Sequence, residues 1–547
     1  FHVELPRGMV FKTSESRPQT ITTMNSNKST RTKNHTIKKR RFNTANMNEK
    51  FRKIEQFSFR IMDLNYKGKK LNEHFRYRYM DYSFYFQERL RNELYDPVNL
   101  KLRSKFFRHG VLLWKSMQKH LIKKRKNHFP HLLFDRPWYT KLHGNKMKTE
   151  YYEEIISHFP KEECATVVDL HPKEFLRFLF HNLRQDSNST INFWSYYKKP
   201  NSKAIKHLAK INSWLQQEEK VKEYCQEASL DYKKVINIAE LILDYHLPQL
   251  LRYYATVSNI YDIHNPKKIM SVLETSGEMR TANYLAHKRG MKTYALQHGR
   301  LGERAGFLIK KINPTLLPDY MMVHSSKEKE LMDINSREHY QLLAMGCPRY
   351  DPLKNFSINK EQFKTKHKIP SKKIIFWATQ SHCWSEKEII LNIKTIYDFL
   401  KQNSDYHLII KFHPREDQEG KWYHEYKEKY QLSNVTILQA KEEDTYACIY
   451  ASDVIITKAS SAGIEGILLN RPVINLNLVK TIPMEIWRTE KIGMIAESPE
   501  DSHIFLKRIY TTEFQKEFQE IRNHFISNFF ANFGSSGRKI AEFVKNN

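Results

Sequence analysis

The chain has 547 residues, of which 40% are hydrophobic and 13% aromatic, so it can bury a sizeable core divided over about two to four domains. A net charge of +31 favours anionic partners, namely nucleic acid, acidic lipid or phosphorylated substrates. The five cysteines are scattered and never in CxxC spacing, and no run reaches the roughly 18 apolar residues of a membrane span. The composition therefore argues against a disulfide framework, a common zinc site and a membrane anchor, and it predicts a cytoplasmic protein.

The N-terminal part of the chain is basic. Residues 1–46 are polar and lack hydrophobic periodicity, so we expect a disordered basic tail. Residues 47–160 combine basic and aromatic residues, and "FFRHGVLLWKSMQKHLIKKRKNHF" has apolar residues at helical spacing, which predicts a basic helical extension. The run Lys123–Lys126 at its end is either a solvated helix C-terminus or a contact for an anionic lipid or nucleic-acid surface.

From about residue 165 the pattern becomes an alternation of strands and helices. "KKIMSV", "MKTYALQ", "DYMMVHS" and "YQLLAMG" predict short strands, and "EMRTANYLAHKRG" predicts a helix between the first two. After the proline-containing linker "CPRYDPLKNF", a second alternation runs from "KKIIFWATQ" to "RPVINLNL". Strands that alternate with helices indicate parallel, doubly wound sheets. We therefore predict an α/β protein with two Rossmann-like domains, at 161–350 and 351–547, that face a cleft.

The segment "DVIITKASSAGIEGILLNRPVINLNL" reads as a strand, a turn of small residues, a helix and a second strand. Ser460 and Ser461 would lie in the first turn of that helix, where free backbone N–H groups and the positive helix end attract a phosphate. Gly463 would keep the approach open, and Glu465, one turn further, would accept hydrogen bonds from a ribose. The alternative is an ordinary serine N-cap without a ligand.

Two further motifs follow predicted strands. In "KFHPRED", His413 would donate to a phosphate oxygen, and Lys411 or Arg415 would neutralise its charge. In "LQHGR", His298 would move protons near neutral pH. Each histidine could instead cap the edge of a sheet. Because ligands of parallel sheets bind beyond the carboxyl ends of the strands, we expect the three motifs to face one another across the cleft.

The order "LQHG", "GCPRYD", "KFHP" and "SDVIITKASSAGIEGILLNRPVI" resembles the GT-B glycosyltransferase superfamily. The similarity is greatest to bacterial surface- and capsule-polysaccharide transferases and to CDP-glycerol glycerophosphotransferases, and the non-hydrolysing UDP-GlcNAc 2-epimerases share the C-terminal half. The motifs cover about residues 265–480 and the architecture 165–547. The usual "DSS" turn is "KASS" here, with Lys458 nearby.

This resemblance implies a first domain that binds the acceptor and a second that binds a nucleotide-activated donor. His413, Ser460 and Ser461 match the residues near the donor phosphates, and Glu465 matches the acidic residue that holds the ribose. His298 matches the histidine of the "QHG" element, a candidate base or phosphate contact. No DxD-type metal motif stands at a matching strand end, which agrees with metal-independent chemistry, and no cofactor is expected.

The leading hypothesis is a glycosyltransferase, or a glycerophosphate-type transferase, that builds a cell-surface or capsular polysaccharide. Its partners would be the nucleotide-linked donor, a polysaccharide or lipid-linked acceptor and the anionic inner face of the cell membrane, where the cytoplasmic protein would be peripheral. Nucleic acid is not expected as a partner of such an enzyme. The alternatives are a sugar-nucleotide epimerase and a non-enzymatic basic module that binds nucleic acid or acidic lipid.

Overall fold

The computed structural model of the protein describes most of the chain beyond residue 52. The described ranges are 53–94, 114–120, 127–135, 140–169, 190–298, 314–330 and 340–547, with short gaps inside several of them, among these 273–275, 381–384, 414–419 and 481–483. All of them belong to the unit Ala45–Asn547. The predicted tail 1–46 and the basic run Lys123–Lys126 lie outside the described residues.

A first parallel sheet is built, among the described residues, from seven strands. They are β1 (His131–Asp135), β2 (Cys164–Val168), β3 (Thr190–Asn192), β4 (Lys268–Val272), β5 (Lys292–Leu296), β6 (Tyr320–Val323) and β7 (Gln341–Ala344). Their spatial order is β3-β2-β1-β4-β5-β6-β7, so the direction of chain growth reverses between β1 and β4. A reversal of this kind opens a crevice at the carboxyl ends of the two strands.

Strand β1 lies in the segment 47–160, for which the sequence predicts helices. All five of its residues are buried, and it pairs with β4 on one side and β2 on the other. A run of three apolar residues, Leu132–Phe134, is too short for periodicity to separate a strand from a helix. The segment thus supplies a central strand of the first sheet.

The second sheet has six described strands, all parallel. They are β8 (Lys373–Ala378), β9 (Tyr406–Lys411), β10 (Val435–Leu438), β11 (Val454–Thr457), β12 (Val473–Leu476) and β13 (Met494–Ala496). Their order β10-β9-β8-β11-β12-β13 reverses between β8 and β11. Buried and mostly apolar residues make up β8, β9 and β11, as strands covered on both faces require. The two sheets confirm the predicted α/β class with two Rossmann-like domains.

Helices cover both sheets. Those before the linker are α1 (Glu153–Ile156), α2 (Ser202–Leu215), α3 (Glu219–Glu227), α4 (Tyr232–Leu241), α5 (Leu247–His264) and α6 (Gly277–His287). A 3₁₀ helix, Pro348–Asn355, forms the linker. Those after it are α7 (Lys360–Lys366), α8 (Glu386–Gln402), α9 (Lys421–Tyr430), α10 (Thr445–Ala451), α11 (Ser461–Leu468), α12 (Glu485–Thr489), α13 (Pro499–Arg508), α14 (Thr512–Phe529) and α15 (Ser536–Asn546).

Smaller elements complete the described chain. Three antiparallel pairs join Asn65–Tyr66 to Lys69–Lys70, Arg76–Tyr77 to Met80–Asp81, and Thr140–His143 to Lys146–Thr149. Short helical segments are Leu71–His74, Phe193–Tyr196, Ile242–His246 and Pro314–Leu316. None of the helices in the described part of the chain combines the length and the apolar character that crossing a bilayer requires.

The last helix, α15, returns from the second domain to the first sheet. Its apolar residues Ile540 and Val544 share a buried cluster with Leu133 of β1, whereas Leu132 and Phe134 of the same strand belong to the core on the opposite face. This alternation follows from the two-residue period of a strand. The first sheet is therefore covered on one face by helices of its own domain and on the other by α1 together with the C-terminal helix α15.

Side chains from elsewhere in the fold cap both ends of α15. Asp351 of the linker accepts hydrogen bonds from the Gly534 N–H (2.9 Å), the Ser536 hydroxyl (2.5 Å) and the Gly537 N–H (2.7 Å). At the other end the Lys268 ammonium donates to the carbonyl of Val544 (2.5 Å). A carboxylate at a helix N-terminus and an ammonium at its C-terminus both suit the helix dipole. Asp351 therefore fixes the linker, and with it the neighbouring Arg349.

Candidate functional site

The serine turn after β11 lies at the point where the strand order of the second sheet reverses. Ser460 is the N-cap of α11, and its hydroxyl accepts a hydrogen bond from the Ala462 N–H at 3.2 Å. Ser461, the first helical residue, is exposed. The N-cap interpretation therefore holds for Ser460. It leaves the positive helix end directed at the crevice, with the Ser461 side chain beside it, so capping and anion binding are compatible here.

Lys458, which stands close to the usual position of an acidic residue in this turn, is buried. Its ammonium forms an ion pair with Glu388 in the first turn of α8, and the two residues are only 2% and 5% exposed. Buried charges of opposite sign in contact offset much of each other's desolvation cost. The pair balances the charge of Lys458 inside the protein and joins the serine turn to the start of α8, which follows the neighbouring strand β8.

Position 463 requires a glycine for a packing reason that the sequence did not reveal. A Cβ atom at this position would lie 2.9 Å from Cη2 of Trp487 and 3.3 Å from Cγ2 of Thr457. At Gly466 a Cβ atom would lie 2.1 Å from Cδ1 of Ile455 on β11. Both glycines therefore allow α11 to pack closely on the sheet and on α12. Gly463 was predicted to keep room for a donor phosphate, and the packing against Trp487 gives it an independent structural role.

Glu465 is buried and is paired within the protein. It is 4% exposed, and its Oε1 lies 3.3 Å from Nη2 of Arg349. Burial raises the pKa of the Glu465 carboxyl, and the charge of Arg349 opposes this rise. Arg349 also approaches Glu150 of the first domain, with 3.6 Å between Nε and Oε2. No strand-end motif singles out Arg349, although it is the arginine of "GCPRYD" between the two domains and so the first candidate for a contact with both.

Strand β9 ends at Lys411, and His413 follows two residues later. The His413 N–H donates to the Thr379 hydroxyl at 3.2 Å, and that hydroxyl donates to the Lys411 carbonyl at 3.1 Å. The loops after β8 and β9 are thus joined, and His413 is partly exposed at this edge. The Lys411 ammonium is buried and donates to the carbonyl of Ala440 at 2.7 Å. Arg415 lies outside the described residues.

His298 follows strand β5 and is connected to Glu465 through two side chains. Its ring centroid lies 6.1 Å from that of Tyr151, and the Arg349 guanidinium lies 6.0 Å from the same Tyr151 ring. Arg349 in turn pairs with Glu465 on α11. This chain of contacts runs from the carboxyl edge of the first sheet to the donor helix predicted in the second domain. His298 and Glu465 are thus connected through Tyr151 and Arg349.

A second histidine, His324, lies beside His298 at the end of β6. Its N–H donates to Oε1 of Gln297 at 2.8 Å, and its carbonyl accepts from the Ala531 N–H at 2.9 Å. Burial lowers the pKa of His324 to about 4, and the charges of His298 and Arg349 act in the same direction. His324 is therefore neutral near pH 7 and is part of the packing under the edge. In the described part of the chain, no cluster of three or more His, Cys, Asp or Glu side chains could hold a metal ion.

Comparison of the sequence with family models identifies one matching family. The family model described as CDP-Glycerol:Poly(glycerophosphate) glycerophosphotransferase matches residues 179–478, which is more than half of the chain. The matched range contains His298, Arg349, His413, Ser460 and Glu465. A search of curated proteins found no match.

Several solved structures are similar at low identity. The UDP-GlcNAc 2-epimerase from Neisseria meningitidis bound to UDP-GlcNAc is 12% identical over 76% of this chain and 100% of its own, with a TM-score of 0.48. The UDP-GlcNAc 2-epimerase from Methanocaldococcus jannaschii is 10% identical over 76% of this chain and 99% of its own, with a TM-score of 0.48. The wall teichoic acid polymerase TagF is 14% identical over 81% of this chain and 96% of its own, with a TM-score of 0.42. Likenesses at this level say nothing about the reaction.

The contact between Gly463 and Trp487 predicts a stability effect. Gly463→Ala should lower the free energy of unfolding by about 1–3 kcal/mol, because the new methyl group overlaps the indole ring. Combining it with Trp487→Phe should recover part of this loss, since the two sites are in contact and their effects are not additive. Denaturant titrations of the parent, both single variants and the double variant measure the coupling. A stable Gly463→Ala that binds nucleotide poorly would instead favour the phosphate explanation.

The buried His324 predicts a loss of stability in acid. Its pKa is about 4 in the folded protein and about 6.5 when unfolded, so the unfolded chain binds more protons between these values. The free energy of unfolding should therefore fall as the pH drops from about 6.5 to 4, by at most about 3 kcal/mol for this residue. The variant His324→Phe should show a flatter profile in that window. The other buried histidine whose pKa is about 4, His407, is present in both proteins and cancels. Identical profiles would contradict the prediction.

Proposed function

This chain belongs to the CDP-glycerol:poly(glycerophosphate) glycerophosphotransferase family, and from that membership we infer that it transfers glycerol phosphate from CDP-glycerol to a hydroxyl group of a growing surface polymer. It is a transferase that uses a nucleotide-activated donor to build a surface polymer. The proposal rests on where the family model matches the chain. The matched residues, 179–478, include the strand-end residues on both sides of the cleft.

The proposed reaction is a substitution at phosphorus. An acceptor hydroxyl attacks the β-phosphorus of the donor and gives its proton to a base, the bond from that phosphorus to the bridging oxygen breaks, and CMP leaves with the electron pair. Such a step requires a base near the acceptor and fixed positive groups near the departing phosphate. The polymer chain grows by one glycerol phosphate each time.

The residues around the cleft supply these groups. His298, at the edge of the first sheet, is the proposed base. The N-terminus of α11 with Ser461, together with His413, would hold the diphosphate. Because the Ser460 hydroxyl caps the helix, its contribution to the phosphate would come mainly through the backbone that it orients. Glu465 would accept hydrogen bonds from the ribose.

The sequence also predicts that Lys411 or Arg415 neutralises the charge of the donor phosphates. The buried Lys411 ammonium already donates to the Ala440 carbonyl, so we propose that it steadies the loop after β10 and acts on the donor only through its charge. Arg415 stays a proposed phosphate contact on the strength of its place two residues after His413.

Turnover and donor binding should separate the proposed roles. His298→Ala should lower the rate of CMP release from CDP-glycerol by about 10²- to 10⁴-fold with a poly(glycerophosphate) acceptor, because general base catalysis contributes this much. Its affinity for CDP-glycerol should change by less than about twofold, whereas His413→Ala and Ser461→Ala should weaken donor binding, since charge-assisted hydrogen bonds are strong. Stopped assays of CMP release and titration calorimetry measure the two quantities.

The exposed His158, which is not among the residues placed around the cleft, serves as the matched control, and His158→Ala should behave as the parent does. Unchanged CMP release by His298→Ala would remove it as the base. If the parent leaves CDP-glycerol intact and converts UDP-GlcNAc to its epimer without an acceptor, the epimerase alternative is correct. Salt-dependent binding of random duplex DNA without any nucleotide binding would favour the basic module.

We also propose that the enzyme works at the anionic inner face of the cell membrane, where a lipid-linked acceptor would be presented. The net charge of +31 and the basic run Lys123–Lys126 support this location. Each basic residue near such a surface contributes about 1 kcal/mol to binding. Changing the four residues of this run to Gln should therefore weaken binding to vesicles that contain phosphatidylglycerol, as measured by co-sedimentation.

The control for this experiment changes four exposed lysines elsewhere to Gln, namely Lys203, Lys206, Lys210 and Lys220. It has the same net charge as the test variant, so a difference between the two isolates the basic run. Equal vesicle binding by both variants would contradict the proposed role of Lys123–Lys126.

A further inference from the structure

Arg349 lies where the linker, the first domain and helix α11 meet. Its guanidinium is 3.3 Å from Oε1 of Glu465 and 3.6 Å from Oε2 of Glu150. The guanidinium carbon also lies 5.6 Å from the ring of Tyr350 and 6.0 Å from the ring of Tyr151. The Glu465 carboxylate and two aromatic faces thus hold the guanidinium group in place, Glu150 only approaches it from the first domain, and Asp351 fixes the backbone two residues on.

Glu465 needs such a partner to act as a hydrogen-bond acceptor. It is almost fully buried, and burial favours the neutral form of a carboxyl group. A protonated carboxyl group would present a donor, whereas an ionised one presents acceptors only. Tyr446 interacts electrostatically with both Glu465 and Arg349, and its partial burial raises its pKa well above 10, so it stays neutral. Arg349, 3.3 Å from the carboxylate, is the group whose positive charge favours the ionised form of Glu465.

We propose that Arg349 is a positioning residue for the ribose of the donor, which it serves by keeping the Glu465 carboxylate ionised and oriented to accept hydrogen bonds from the ribose hydroxyls. This inference rests on the proposed function, because it requires a nucleotide in the cleft. It adds to that function a determinant of ribose recognition that lies in the linker rather than in the nucleotide-binding domain. A purely structural role for Arg349 would instead operate through Glu150 and tie the two domains together.

The two roles differ in what they do to ribose selectivity. The test measures, by titration calorimetry, the affinity for CDP, for 2′,3′-dideoxy-CDP and for inorganic diphosphate. The parent should bind CDP about tenfold more tightly than the dideoxy analogue, since a hydrogen bond to a charged group contributes on this scale. Glu465→Gln and Arg349→Gln should both reduce this ratio to nearly one, and both should bind diphosphate as the parent does.

Two variants act as matched controls. Glu150→Gln removes the charge of the other carboxylate near Arg349 and should keep the tenfold ratio, since it leaves the pair with Glu465 intact. Arg349→Lys keeps the positive charge but lacks the planar fork, so it should restore part of the ratio. If Arg349→Gln does not fold, the test compares the other two variants. The inference then requires an intermediate ratio of CDP to dideoxy-CDP affinity in Arg349→Lys and the parent's ratio in Glu150→Gln.

The outcomes separate the inference from the function. If Arg349→Gln and Arg349→Lys keep the parent's ratio while Glu465→Gln loses it, the inference is wrong and the proposed function stands. If Glu150→Gln loses the ratio as well, or if Arg349→Gln weakens diphosphate and CDP equally, Arg349 is a structural tie between the domains and the inference is again wrong. If the parent binds none of the three ligands and does not release CMP from CDP-glycerol, the proposed function itself is wrong.

Discussion

Parallel pairing of every strand in the two large sheets is the constraint on which the rest of the structure depends. A parallel sheet collects all of its carboxyl ends at one edge, whatever the separation of the strands in the sequence. His298 after β5 and His324 after β6 therefore lie side by side. His413 after β9 and Ser460 after β11 follow strands on either side of β8. The reversal of strand order in each sheet then opens the crevice in which a ligand can lie beside them.

The linker and the last helix decide how the two edges are connected. Asp351 caps α15, and α15 buries its apolar face against the first sheet, so the linker is tied through Asp351 to a helix that is itself fixed on that sheet. Arg349 follows from this arrangement, because its position between Glu150 and Glu465 depends on a linker with a fixed backbone. A capping interaction near the C-terminus of the chain thus sets the geometry of a charge in the cleft.

Close packing of α11 and binding of a phosphate at its N-terminus both require small residues. Gly463 and Gly466 allow the helix to approach Trp487 and Ile455, and this close approach aims the helix N-terminus at the crevice. Ser460 caps that end, and the buried pair of Lys458 and Glu388 ties it to α8. Packing therefore determines the shape of the serine turn. The same packing leaves a capped helix N-terminus with small residues, which suits a phosphate.

The sequence by itself determined most strands and helices from Lys268 onward and the residues that follow those strands, because hydrophobic periodicity and strand-ending polar residues are local signals. The alternation from "KKIMSV" to "RPVINLNL" predicted the two parallel sheets, and "LQHG", "KFHP" and "KASS" located the edge residues. Only the tertiary structure decided that β1 belongs to the first sheet, that α15 returns to it, that Gly463 contacts Trp487 and that Glu465 pairs with Arg349. Each of these depends on contacts between residues far apart in the chain, and such contacts follow from how helices and sheets pack rather than from any pattern within one segment.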